Sequence, residues 1–248
     1  MHISNLIELA ISFTLEVWLV ALLLRRNAQH HFPVFFSFTF YAATATAARL
    51  LTSFHYRAYF YVFWWTEAFI LLLSLAALHE IFHWMFEGFY RLWWFRLFYF
   101  GTIALVLSIA ARNAIVDPPQ AHPVISLILD AGIASNFVLA GIVSLFVLLH
   151  RLLAVEFRRY AYGIVLGFGF SSAGSLLGYL ARSEFGTKSE TFTRYSSAVG
   201  YILCVAIWVA SFIRAEAEQK WEPPMAPEQM LEIVQGYLGA LGMSKRRK

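Results

Sequence analysis

The chain has 248 residues, of which 60% are hydrophobic, 18% aromatic and only 14% charged. Soluble domains run near half apolar and a quarter charged, so this balance points to lipid as the solvent and excludes an ordinary water-soluble enzyme fold. The net charge of +4 is no nucleic-acid signature, because the basic residues fall at the ends of apolar runs; Cys204, the single cysteine, excludes an internal disulfide framework.

Long apolar runs read as membrane spans of roughly 20 residues each. In chain order they cover 5–24, 33–52, 59–82, 93–111, 124–149, 160–181 and 195–213. The first carries Arg25 and Arg26 after its apolar core, not before it, so it reads as a retained helix and not as a cleaved signal. Turn and charge signals separate the runs: Arg25-Arg26-Asn27, Asp117-Pro118-Pro119, Arg158-Arg159 and the polar stretch from Arg182 to Arg194. The fourth run is the shortest, and Arg96 has to snorkel to an interface for it to span. The expected fold is therefore all-α, a polytopic seven-transmembrane-helix bundle over 1–213. A tail, 214–248, follows it. After Pro223, Pro224 and Pro227 this tail places Met230, Ile233, Val234, Tyr237, Leu238 and Leu241 at helical spacing, which predicts an amphipathic helix over 228–241. His83 to Arg91 mixes aromatic bulk with charge, as a segment at headgroup depth does.

The basic residues set the orientation. With the N-terminus outside and the C-terminus in the cytoplasm, 13 of the 19 Lys and Arg fall on the inner side, as the positive-inside rule requires. This points to a bacterial inner (cytoplasmic) membrane.

Ionisable groups inside spans are costly and mark the first place to look for function. At about 1.5 Å per residue, Glu8 lies about 5 Å below the outer surface, Asp130 about 9 Å, Glu67 about 12 Å and Glu16 near the midplane. Arg49 is about 5 Å from the same surface. These four acids and one base, with Thr66 and Asn136 as hydrogen-bonding neighbours, predict an outer-half polar site. Glu8, Glu16, Arg49, Glu67, Asp130 and Asn136 are its candidate ligand-binding residues, for a cationic or hydroxylated ligand or a proton relay. A static network in which Arg49 bridges two acids uses the same residues. Small residues on the second and sixth runs, among them Ala42, Ala45, Gly163, Gly167 and Gly174, predict close helix packing.

One motif has catalytic shape. His79-Glu80-Ile81-Phe82-His83 is a literal H-E-x-x-H. Two histidines at i and i+4 share a helix face and bind one zinc, with the Glu beside the first as general base. It resembles the active-site helix of zinc metallopeptidases. In that alternative His79, His83 and His150 would be the metal ligands and Glu80 the catalytic base. Asp130 is excluded as a ligand by a depth difference of roughly 15 Å. The plainer expectation is that these residues anchor the span end, with no catalytic residue, no metal and no cofactor. The last span has no Lys for a retinal.

Two further resemblances bear on architecture. Runs 1–3 and 5–7 share direction if the fourth is a linker, and the order resembles that of sugar-exporting seven-helix transporters and the KDEL-receptor group, although Pro119-Gln120 lies in a loop and not in a helix. The run Ala58-Tyr59-Phe60-Tyr61-Val62-Phe63-Trp64-Trp65, followed by Glu80-Ile81-Phe82, resembles uncharacterised bacterial seven-helix membrane proteins of about this length. That resemblance implies a fold and no activity. The expected function is thus a non-enzymatic membrane protein, either a small-solute carrier or sensor or a membrane subunit of a larger assembly. Its partners would be the lipid bilayer and other membrane subunits or a second copy, with no nucleic acid; a zinc-dependent membrane hydrolase is the alternative.

Overall fold

The computed structural model describes residues 3–85, 123–153 and 159–214, with isolated positions between 93 and 108; side chains are described from residue 7 in the first helix and over 131–148 in the stretch 123–153. Every described element is helical: α1 (Ile3–Arg25), α2 (Ala28–His31), α3 (Pro33–Thr52), α4 (Tyr56–Met85), α5 (Pro123–Leu153), α6 (Arg159–Phe185) and α7 (Glu190–Ile213), with a 3-10 turn, Gly186–Ser189, before the last. Six of these are long and apolar enough to cross a membrane. The fourth expected span, 93–111, and the tail helix, 228–241, lie largely or wholly outside the described residues.

The lengths follow from the apolar runs. At about 1.5 Å per residue α1 measures about 34 Å and α4 about 45 Å, against a hydrocarbon core of about 30 Å. The ends of α4 therefore extend past the apolar layer, which brings His79 and His83 toward headgroup depth. Asn27, between α1 and α2, adopts a left-handed backbone with φ of 51°. Asn tolerates that conformation better than other side chains, and the chain turns back here toward α3.

The helices pack in a closed order. α1 lies against α3, α3 against α4, α4 against α5, α5 against α6, α6 against α7, and α7 returns to α1. In lipid, helix association depends on close packing and hydrogen bonds, since the tails are as apolar as leucine. The α6–α7 contact shows both. A Cβ on Gly174 would meet Ser196 O at 2.6 Å, so only glycine permits this backbone approach. Trp208 Nε1 donates to Ile164 O at 3.1 Å across the same seam.

The two ends of the bundle differ. At the basal end, where α1, α4 and α7 finish and α3 and α6 begin, the core is large and apolar. Phe35, Phe82, Phe146, Trp208 and Phe212 are fully buried there. Phe35 meets Trp208 edge-on at 5.1 Å and stacks on Phe212 at 6.2 Å, within the separations at which aromatic pairs attract. Toward the N-terminal end the buried positions include the small or polar Ser12, Glu16, Ala42, Ala43, Ala45 and Thr46.

Side chains close the helix termini at the basal end. The first turn of α3 has three N–H groups to satisfy, because Pro33 has none. Val34 and Phe35 donate to the two oxygens of Glu80 on α4, each at 2.9 Å, and Phe36 donates to Phe32 O at 2.9 Å. Glu80 thus caps α3 from a neighbouring helix, where a negative charge also complements the helix dipole. The opposite polarity holds at the end of α7. Arg26 Nε donates to Phe212 O at 3.2 Å and its Nη2 to Ile213 O, while Arg159 donates to Ala210 O at 3.1 Å. Two of the arginines that set the expected orientation are therefore also ligands of a helix C-terminus.

Candidate functional site

Among the described residues, a polar network crosses four helices of the apolar bundle. One part is built on Arg49, near the end of α3. Arg49 forms a salt bridge to Glu67 of α4 at 2.9 Å, and the two side chains are 13% and 35% exposed. Arg49 Nε and Nη2 also donate to Thr66 Oγ1 at 2.9 and 2.7 Å. The guanidinium sits 4.7 Å from the centre of the Phe63 ring, a cation–π distance. Three residues within one turn of α4, Phe63, Thr66 and Glu67, therefore hold this cation. They share a face because i, i+3 and i+4 positions do on a helix. Thr66 is oriented by its own hydrogen bond to Val62 O at 2.7 Å.

The other part is built on Glu16, in the middle of α1. Its side chain is 1% exposed. Tyr201 of α7 donates its hydroxyl to Glu16 Oε1, whereas Oε2 has no hydrogen-bond partner among the described residues. Thr46 and Arg49, on one face of α3, supply the neighbouring hydroxyl and the neighbouring charge. The two parts adjoin on α3: Thr46 stands near Glu16, and Arg49, three residues further on, reaches Glu67.

The other expected site residues stand at different distances from this network. Glu8 lies on α1 within electrostatic reach of Tyr59, which is also in the field of Arg49 and Glu67. Asn136 donates to Gly132 O, one turn back on its own helix, at 2.9 Å. Asp130 belongs to α5, but its side chain falls outside the described residues, as does that of His150. Tyr201 was not among the residues expected from the sequence. A signal for it exists, since a tyrosine at the centre of an apolar span needs a partner for its hydroxyl, and Glu16 is at matching depth.

The H-E-x-x-H segment occupies the last turns of α4. The His79 and His83 rings lie 6.3 Å apart at 52°, and His79 is 5.7 Å from Phe100. Both oxygens of Glu80 accept from the Val34 and Phe35 amides. Among the described residues no three His, Cys, Asp or Glu side chains come together as a metal-ligating group.

Six apolar helices of membrane-spanning length, with ionisable side chains paired inside them, define a helical membrane-embedded protein. No protein-family model matches the chain, and neither a curated protein nor a solved structure is significantly similar to it.

Proposed function

We propose that this chain is a non-enzymatic seven-helix protein of a bacterial cytoplasmic membrane, N-terminus outside and C-terminus inside, which acts as a carrier or sensor for a small polar solute. The solute would be cationic or hydroxylated and would bind in the outer half, at the network of Glu8, Glu16, Arg49 and Glu67, with Asp130 and Asn136 of α5 on its margin. The observation that carries this reading is Glu16: a buried carboxyl with one oxygen held by Tyr201 and the other without a hydrogen-bond partner among the described residues. An unpaired polar atom in an apolar interior costs about 1–3 kcal/mol, and a solute hydroxyl or a proton on that oxygen removes the cost. The asymmetry of the bundle supports an approach from the N-terminal end, since the bulky aromatic core lies at the other end. The orientation rests on the basic residues, and the seventh helix on the apolar run 93–111. A membrane-subunit role uses the same fold, but no feature of the described surface favours it. The zinc-hydrolase alternative gains nothing from the geometry around Glu80.

Thermal unfolding of the purified protein against a panel of cationic and polyhydroxylated solutes tests the reading. A ligand at a hundred times its dissociation constant stabilises by about 2.7 kcal/mol. The expected result is a solute that raises the melting temperature of the wild type and not that of Arg49→Ala. A panel without any shift, or with equal shifts in both proteins, would remove the solute site.

A further inference from the structure

Among the described residues, the polar groups around Glu16 come from three helices. From α1 itself Ser12 lies one turn toward the N-terminus and is buried. From α3 come the Thr46 hydroxyl and the Arg49 guanidinium. From α7 comes the Tyr201 hydroxyl, with the buried Cys204 beside it. Arg49 is itself turned to Thr66 and Glu67.

This set decides what the vacant oxygen can hold. A hard metal cation takes about six or more oxygen ligands, and the groups here supply a carboxylate and two or three hydroxyls. A proton needs only Oε2 and an acceptor for the resulting O–H, and the Thr46 hydroxyl is the neighbouring group able to accept. With Tyr201 donating to Oε1 and Oε2–H donating toward Thr46, the carboxyl is neutral and both oxygens are used. Without the proton, a carboxylate stands in an apolar bundle with hydroxyl donors alone, which disfavours the charged form.

We propose that Glu16 is an exchangeable proton site, carried on Oε2, that exchanges with the N-terminal face of the bundle past Thr46 and the Arg49–Glu67 pair. The site deepens the reading of the polar network given above and rests on it for its direction of access. In the exchange the Oε2–H bond breaks, the proton passes to water and the carboxylate keeps the electron pair.

Dicyclohexylcarbodiimide tests this directly, because it forms a stable N-acylurea with protonated carboxyls in apolar surroundings. The full chain in lipid nanodiscs is treated over an acid-to-alkaline series, and the α1 peptide is analysed by mass spectrometry. The expected result is an adduct at Glu16 in the wild type that falls severalfold as pH rises. It should persist in Glu16→Asp, disappear in Glu16→Gln and show no protection by sodium chloride. Tyr201→Phe keeps the carboxyl and should move the pH profile of labelling without abolishing it. Absence of the adduct at acid pH, labelling that ignores pH, or protection by sodium would each overturn the proposal. A pH-dependent adduct that no solute in the panel disturbs would uphold the proton site while removing the solute reading.

Discussion

The Glu80 carboxylate and the Val34 amide, 46 residues apart in the chain, meet at 2.9 Å and tie the last turns of α4 to the first turn of α3. The second oxygen of Glu80 takes the Phe35 amide at the same distance. Glu80→Ala leaves two partly buried N–H groups without acceptors and should cost about 1–3 kcal/mol, read as a lowered melting temperature in nanodiscs. Glu80→Gln keeps one acceptor and loses the charge that complements the helix dipole, so an intermediate loss is expected. Zinc should change neither result. Stability that instead depended on zinc, and vanished with His79→Ala/His83→Ala, would restore the metal reading.

Arg49 is held by three side chains of α4, and its partner Glu67 would be left alone in the bundle if Arg49 were removed. Arg49→Ala and Glu67→Ala should therefore not add. A double-mutant cycle on thermal stability should return a coupling of about 0.5–3 kcal/mol. Arg49→Lys should recover part of it at most, because an ammonium cannot span Thr66 and Glu67 with a planar fork. Additive losses would mean that the pair contributes nothing to the bundle.

The spans were legible because the apolar runs are long: 33–52 coincides with α3 (Pro33–Thr52), and 160–181 falls within α6 (Arg159–Phe185). The candidate site was legible as a list of residues at similar depth and not as pairs. Depth is a property of one helix, whereas the choice of Glu67 for Arg49 depends on how α3 and α4 rotate against each other. Thr66, a hydrogen-bonding neighbour by depth, receives Arg49. The Asn136 amide, at a comparable place in the sequence pattern, turns back to Gly132 O, because a side chain inside a helix has a carbonyl one turn away. The sequence around Glu80 shows its histidine neighbours, whereas the amides it accepts from lie 46 and 45 residues earlier. Nothing in the local pattern carries that information.

The α6–α7 seam gives a comparison between glycines. Gly174→Ala places a methyl group 2.6 Å from Ser196 O and 3.0 Å from Gly200 Cα, both backbone atoms that cannot rotate away. The two helices have to separate, at a cost of about 1–3 kcal/mol. At Gly132 the nearest atoms are Leu71 Cδ1 at 3.8 Å and the Tyr179 hydroxyl at 3.9 Å. Gly132→Ala should be neutral or slightly stabilising, given the better helix propensity of alanine. Melting temperatures of the two variants, side by side, check the seam.

The proposal that the polar network faces outward is tested most directly by accessibility in intact cells. Cys204 is buried and is replaced by serine; single cysteines are then placed by Glu8→Cys, Glu67→Cys and Phe212→Cys. A membrane-impermeant thiol reagent is added from outside. The expected result is fast modification at positions 8 and 67, slowed by the stabilising solute, and none at position 212 in the basal core. Protection of positions 8 and 67 from the outside reagent, with reaction only from the cytoplasmic side of inverted vesicles, would contradict both the orientation and the outward site.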